Sequence, residues 1–248
     1  MKKIILIPTR INSKRLPAKA LLEIENIPII IHTYKRACMS KLADKVFVCT
    51  DSAKIINVCK GFKAKFIKTK SSHRNGTERI AEAAKKLNLN NKDIIIDVQG
   101  DEPLINPKDI DNTISFYLKN KFEIVVPNIK FNQKNKHNIV KLIINEKKRI
   151  LWMTRSDIPY NFSSKNENFN KHLSIIIFNY SSLLKYSRLK KSKYEKIESI
   201  ELLRAIENGM VIGSNSVNSN SFSVDVIEDF RKAKKFLKLD KIKKRYLN

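Results

Sequence analysis

Three separated clusters in this chain carry residue types that could do chemistry together. The first is T-R-I-N-S-K-R-L-P-A-K, in which Arg10, Lys14, Arg15 and Lys19 fall within ten residues. Four cations so close repel one another unless they meet a polyanion. Arginine can grip phosphate through two parallel N–H bonds, and lysine acts on it as a point charge. The loop is neither a G-x-x-x-x-G-K-[ST] phosphate loop nor a G-x-G-x-x-G dinucleotide loop. The second cluster is D-I-I-I-D-V-Q-G-D-E-P-L-I, in which a β-branched run is cut off by Gly100, Asp101, Glu102 and Pro103. The third is F-S-V-D-V-I-E-D-F, which places Asp225 ahead of a helical pattern. Magnesium commonly takes one or two carboxylates together with substrate phosphate oxygens, so Asp101 and Asp225 are candidates to share such an ion. Each cluster also has a plainer reading. Asp101 could sit in a solvated turn, the basic loop could simply face water, and Asp225 could be a helix N-cap. A further stretch, S-S-H-R-N-G-T-E-R-I, sets Arg74, Asn75, Gly76 and Thr77 at a predicted helix start. Free amides there favour an anion or a base carbonyl, although an ordinary cap would look the same.

The elements that must position these residues alternate. Ile94, Ile95, Ile96 and Val98 read as a strand buried on both faces of a parallel sheet, which would deliver Asp101 to the carboxyl edge where open α/β folds hold their ligands. A strand at Lys3–Pro8 brings the basic loop to the same edge. Helices are predicted over Ile29–Met39, Ala53–Lys60 with Gly61 as C-cap, Thr77–Leu87 begun by a capping Thr77, and Pro107–Lys119. Strands are predicted at Lys45–Thr50, Lys65–Lys68 and Glu123–Val126. This alternation implies a three-layer α/β/α domain with a mostly parallel central sheet. After Pro127 the pattern becomes β-rich, with a hairpin of Asn138–Asn145 and Arg149–Met153, a mobile loop over Asn161–Asn170 and a strand at Leu173–Phe178. Helices at Ser181–Leu189 and Glu198–Asn208, the latter ended by Gly209, follow. Strands at Val211–Ser214 and Phe222–Val224 and a basic helix at Ile227–Leu239 finish the chain. With no repeat and no linker, residues 1–248 read as one domain with an elaboration over about 130–215.

The chain has 248 residues, 42% hydrophobic and 30% charged, which fits a folded globular protein rather than a disordered one. No apolar run approaches the roughly 20 residues that span a bilayer, and the short run after Met1 lacks the features of a signal peptide. The expectation is a cytoplasmic protein without membrane insertion. Cys38, Cys49 and Cys59 are an odd number without metal-ligand spacing, so they read as reduced structural thiols. His32, His73, His137 and His172 are scattered, which argues against a zinc or haem site. The net charge of +26 invites a nucleic-acid reading. The lysines are nevertheless spread along the whole chain and no nucleic-acid-binding motif is present, so polyanionic small substrates account for the charge and no nucleic-acid partner is expected.

Taken together, I-P-T-R-I-N-S-K-R-L-P-A-K-A-L, H-R-N-G-T-E-R-I-A-E-A, V-Q-G-D-E-P-L-I, R-S-D-I-P-Y, K-H-L-S-I, I-E-L-L-R-A-I-E-N-G and S-V-D-V-I-E-D-F resemble the 3-deoxy-manno-octulosonate cytidylyltransferases, the CMP-Kdo synthetases, over about residues 4–237. The resemblance implies an enzyme that joins CTP to a 3-deoxy-ulosonic acid and releases pyrophosphate, for the inner core of bacterial lipopolysaccharide. It implies CTP contacts from Arg10, Ser13, Lys14, Arg15, Lys19, Arg74, Asn75, Gly76, Thr77 and Gln99, with Asp101, Arg15 and Lys19 serving catalysis. It also implies Mg²⁺ on Asp101 and Asp225, sugar contacts from Arg155, His172 and Glu201, and a homodimer. The sequence departs from the family pattern in several places. Ala18 stands for a loop glycine, Asn75 and Glu78 are modest changes, and Ile176, Asn179 and Leu202 replace a tyrosine, an arginine and a glutamine in the part expected to hold the sugar. Apolar side chains cannot replace lost hydrogen bonds, so the sugar acid could be Kdo or an amino-substituted analogue such as 8-amino-Kdo. The rival readings are another CMP-sugar synthetase acting on a nonulosonic acid, and a catalytically silent nucleotide- or RNA-binding protein on the same scaffold.

Overall fold

The computed structural model describes residues 1–13, 15–134, 136–160, 162 and 168–247. In chain order the strands and helices are β1 (Lys3–Pro8), β2 (Glu23–Ile24), β3 (Ile27–Pro28), α1 (Ile29–Ala37), β4 (Lys45–Thr50), α2 (Ala53–Gly61), β5 (Phe66–Lys68), α3 (Gly76–Lys86), β6 (Ile94–Val98) and α4 (Pro107–Lys119). The second half adds β7 (Ile124–Phe131), β8 (Lys141–Ile144), β9 (Ile150–Thr154), β10 (Phe169–His172), β11 (Ile175–Asn179), α5 (Tyr180–Arg188), α6 (Lys193–Glu198), α7 (Leu203–Glu207), β12 (Ile212–Ser216) and α8 (Ile227–Leu239).

Among the described residues, one sheet runs in the order β5-β4-β1-β6-β11-β7-β10-β8-β9, with β12 beside β7. Strands β5, β4, β1 and β6 pair in parallel, and β12 pairs in parallel with β7. The long β7 forks the sheet, because its first residues pair with β11 and its last with β10. The predicted strand at Leu173–Phe178 is β11, which lies antiparallel between β6 and β7. Its β-branched run fits a strand buried on both faces, and such a run does not encode direction.

Side-chain alternation makes the layers. Ile4 and Leu6 of β1 and Ile95 of β6 face a core with Ile80, Ala83 and Ala84 of α3 and Leu183 and Tyr186 of α5. Ile5, Ile7, Ile94, Ile96 and Val98 face the opposite core, against Ile30 and Ile31 of α1, Ile55 of α2 and Ile110 and Ile114 of α4. Full burial of such a side chain is worth about 1.5–3 kcal/mol each, which fixes the register of the central strands. A third cluster, built on Ile29, Leu104, Val224, Ala233 and Leu237, seats α8 against the loop that follows β6.

Several local expectations are corrected. Helix α3 is capped by Asn75, whose side chain accepts from Glu78 N at 2.9 Å, and not by Thr77. Gly61 is the last residue of α2, and the left-handed position after the helix is Lys63 at φ 54°. The predicted helix over Glu198–Asn208 is shorter, α7 over Leu203–Glu207; Glu198 ends the unpredicted α6, and Ser199 after it takes φ 52°. Gly209 does follow α7 with φ 73°. Residues Phe222–Val224 form no strand, although Val224 N donates to Asp101 O at 2.9 Å. Of the predicted loop Asn161–Asn170, most lies outside the described residues, while Phe169 and Asn170 belong to β10.

Candidate active site

The exits of β1 and β6 lie side by side at the carboxyl edge. A Cβ on Gly100 would stand 2.3 Å from Thr9 Oγ1 and 3.2 Å from Pro8 O, so only glycine lets the two chain segments pass this closely. A cavity of about 600 Å³ opens at this edge. Its walls combine Arg10, Ser13, Arg15 and Lys19 after β1, Arg74, Asn75 and Gly76 at the start of α3, Gln99 and Asp101 after β6, and Glu201 and Asp225 from the second half. Thr77, Arg155 and His172 do not line it, and Lys14 lies outside the described residues.

Asp101 and Asp225 meet at a single point. Lys19 Nζ donates to Asp101 Oδ2 and, at 2.9 Å, to Asp225 Oδ1, which Arg15 Nη2 also reaches at 2.9 Å. Burial works against the Lys19 charge, but Asp101 and then Asp225 outweigh it and hold the ammonium above its ordinary pKa. Lys19 is delivered by Ala18, which takes φ 51° and ψ 27°, so the alanine in place of a loop glycine occupies a left-handed conformation. That conformation costs an L residue about 1–2 kcal/mol.

Glu102 explains how residues so distant in sequence come together. It points away from the cavity, is 1% exposed, and accepts from Ser221 Oγ at 2.5 Å and Ser223 Oγ at 2.6 Å. The segment before α8 is thereby held against the β6 exit, and burial pushes the Glu102 pKa up. Asp225 does not cap α8. Asp229 Oδ2 accepts from the backbone N–H groups of Asp225 and Val226 at 3.1 and 3.2 Å, which leaves the Asp225 carboxylate free for the cavity. Sequence reasoning missed Glu102, because nothing in its neighbours distinguishes a clamp from a second ligand.

On the opposite wall, Arg74 pairs with Glu78 at 2.7 Å, and His73, also in the lining, is bonded to Glu82. Arg79, another residue that sequence reasoning missed, lines the cavity and pairs with Asp51 at 2.8 Å. The break at Ser199 places Glu201 in the cavity wall. Its Oε1 is buried and accepts no hydrogen bond among the described residues, and burial pushes its pKa up while the Thr77 hydroxyl works the other way. Such an oxygen is an open acceptor for a hydroxyl or amine.

The other two residues expected at the sugar do not line this cavity. The Arg155 guanidinium donates to Glu198 O at 2.8 Å, His137 O at 3.1 Å and Ser199 O at 3.3 Å, so it braces the turn that carries Glu201. His172 Nε2 is buried without a partner among the described residues, and burial followed by the Lys171 charge lowers its pKa to about 4. The three departures in this region also have structural duties. Asn179 caps α5 by accepting from Ser182 N at 2.7 Å, Leu202 is buried in the core, and Ile176 packs beside that core.

Among the described residues, no group of three or more His, Cys, Asp or Glu side chains is gathered to hold a metal by itself. A pair of carboxylates converging on one cationic atom does suit a divalent ion completed by phosphate oxygens. The ammonium of Lys19 is the cation that the two carboxylates share.

An α/β sheet edge that sets arginines, a lysine and a helix N-terminus around two convergent carboxylates defines a nucleotide-handling enzyme of the phosphoryl-transfer class. A family model described as cytidylyltransferase matches residues 4–212. A 3-deoxy-manno-octulosonate cytidylyltransferase of Thermodesulfovibrio yellowstonii is 39% identical, over 96% of this chain and 98% of that protein. An 8-amino-3,8-dideoxy-manno-octulosonate cytidylyltransferase of Shewanella sp. (strain W3-18-1) is 34% identical, over 96% of this chain and 99% of its own length. A solved structure of CMP:2-keto-3-deoxy-manno-octonic acid synthetase complexed with CTP superposes with a TM-score of 0.91 at 30% identity, covering 96% of this chain and 99% of that one. The chain belongs to the 3-deoxy-manno-octulosonate cytidylyltransferase family.

Proposed function

We propose that this chain transfers the cytidylyl group of CTP to the anomeric hydroxyl of a 3-deoxy-D-manno-octulosonic acid, either Kdo or its 8-amino analogue, and so activates the sugar for lipopolysaccharide synthesis. The hydroxyl oxygen forms a bond to the α-phosphorus and gives up its proton to solvent water, the bond from that phosphorus to the bridging oxygen breaks, and pyrophosphate leaves with the electron pair. The observation that carries the reading is the meeting of Arg10, Arg15 and Lys19 with Asp101 and Asp225 in one cavity. Positioning and charge neutralisation do most of the work in such transfers. Arg10, Ser13, Arg15 and Lys19 bind the triphosphate, and Arg15 and Lys19 stabilise the charge gathering on the leaving group. Arg74, Asn75, Gly76 and Gln99 hold the nucleoside end. Glu201 accepts a hydrogen bond from the sugar, and Arg155 acts by holding the turn that presents it. Asp101 and Asp225 are the residues that would hold Mg²⁺, which when bound supplies positive charge at the reacting phosphate and acidifies a coordinated hydroxyl.

The identities of the relatives support both octulosonic acids, and Asn179 and Leu202 are committed to a helix cap and the core. We assign the protein to the cytoplasm, the compartment that supplies CTP; no described helix is long and apolar enough to cross a membrane. We also propose a homodimer formed through the second half, where Leu151, Tyr160, Phe162 and Ile197 are exposed apolar residues. Light scattering should return twice the chain mass. The deciding experiment is Mg²⁺-dependent pyrophosphate release with CTP, comparing Kdo, 8-amino-Kdo and N-acetylneuraminate. Turnover with an octulosonate alone is the expected result, and turnover with N-acetylneuraminate alone would overturn the reading.

A further inference from the structure

Strand β6 contains a carboxyl side chain that its pattern gives no reason for. Ile95 and Asp97 face the same side of the sheet, and Asp97 lies in register with Leu6 on one neighbour and Ile176 on the other. The residue is 1% exposed. Among the described residues no cation pairs with it, and burial, followed by the negative charges of Glu201 and Asp101, pushes its pKa well above the usual carboxylate range. A leucine would fill this position at lower cost, since a buried carboxylate without a cation is expensive.

What the carboxylate does hold is Gln99. The Gln99 amide nitrogen donates to Asp97 Oδ1 at 2.9 Å and to Oδ2 at 3.0 Å. An amide has one donor end and one acceptor end. With the NH₂ turned to Asp97, the carbonyl Oε1 is the free end, and it accepts no hydrogen bond from the described residues. Gln99 lines the cavity beside the start of α3, where a Cβ on Gly76 would stand 3.9 Å from its Nε2. An unpinned glutamine would present donor or acceptor with similar ease. The geometry points to Asp97 as a positioning residue that fixes the Gln99 carbonyl toward the cavity, where it accepts a hydrogen bond from an O–H or N–H group of the bound nucleotide. The inference rests on the proposed CTP site, and it adds a residue that makes no contact with substrate.

The test is calorimetric binding of CTP, UTP and 2′-deoxy-CTP to the whole chain and to Asp97→Leu, Asp97→Asn, Gln99→Met and the Asp97→Leu/Gln99→Met double variant. Loss of one oriented hydrogen bond should weaken CTP binding by about five- to tenfold in Asp97→Leu. The arm that stops being discriminated tells which donor is read, the ring amine against UTP or the ribose hydroxyl against 2′-deoxy-CTP. In Asp97→Asn the new side-chain carbonyl can still accept from Gln99, so this variant should stay within about threefold of the native protein. The double variant should bind as Gln99→Met alone does, since contacting residues that act as a unit are not additive. Melting should be unchanged or raised in Asp97→Leu, whereas a merely structural Asp97 would lower it. Should Asp97→Leu not fold, Gln99→Glu provides the same decision. It should lose affinity because two carboxylates then face each other, and Gln99→Glu/Asp97→Asn should regain it.

Equal CTP affinity in Asp97→Leu, additive losses in the double variant, or no rescue by the reciprocal pair would each overturn the assignment. Failure of the transferase reading shows separately, as tight CTP binding with no acceptor turned over, and leaves the affinity comparison decisive. A native protein that binds no CTP overturns both.

Discussion

Lys19→Met removes the charge that joins Asp101 to Asp225 while keeping most of the side-chain volume. At the 2.9 Å separation from Asp225, Coulomb's law gives about 1.4 kcal/mol at the dielectric of water and about 3 kcal/mol at half that value. The lower end suits side chains that remain 17–33% exposed. On the proposal that Asp101 and Asp225 hold a divalent ion, an ion entering the nucleotide-free site competes with this lysine, so removing it should tighten ion binding by about tenfold. The same change takes a cation from the triphosphate, so CTP binding should weaken by about 10- to 100-fold. Titration of the nucleotide-free protein with Mn²⁺, followed by electron paramagnetic resonance of the free ion, reads the first effect, and calorimetry with CTP reads the second. Native Lys19 should therefore make the ion arrive with the nucleotide rather than before it. Equal or weaker Mn²⁺ binding by Lys19→Met would refute the reasoning, because Lys19 would then not be holding the ion's place.

Other outcomes follow from the same geometry. Asp101→Asn should lower turnover by at least about 100-fold and leave the melting curve nearly unchanged, since the residue is partly exposed and serves the cavity; unfolding of that variant would make Asp101 a structural residue instead. Ala18→Gly relieves φ 51° and should stabilise by about 0.5–1 kcal/mol, raising Tm by roughly 1–4 °C in a thermal melt. His172 has its pKa lowered to about 4 from 6.5. The unfolded chain therefore binds the extra proton between those values, and stability present above pH 6.5 is lost as pH falls toward 4. Urea unfolding should show the native protein losing up to ~3 kcal/mol more than His172→Gln over this window; equal losses would mean that His172 is not held neutral.

Much of the site could be read from the chain because it depends on strand ends. A β-branched run stopped by Gly100 and Pro103 has to turn at the sheet edge, and the first strand must bring its basic loop to the same place. The approach of Asp225 to Asp101 was not legible in the spacing, because it depends on Glu102 gripping Ser221 and Ser223, a contact between distant segments. The antiparallel course of β11 was hidden for a related reason, since burial on both faces leaves no trace of direction. Periodicity set a helix to begin at Glu198, whereas Ser199 turns left-handed there and the helix begins at Leu203, which leaves Glu201 in the cavity wall. Arg155 and His172 carry residue types suited to sugar binding, and neither lines the cavity: the arginine donates to backbone carbonyls, and the imidazole Nε2 is buried. Asp97 sits inside an apolar run that the sequence reading passed over, and only the Gln99 contact gives it a meaning.

The most direct test of the central claim is ³¹P NMR of the protein with CTP, Mg²⁺ and either Kdo or 8-amino-Kdo. A phosphodiester resonance of the CMP-sugar and the resonance of pyrophosphate should grow together in equal amounts, and neither should grow in Asp101→Asn. CTP that stays intact in the presence of both sugars, or that is hydrolysed to free CMP without a sugar phosphodiester, would contradict it.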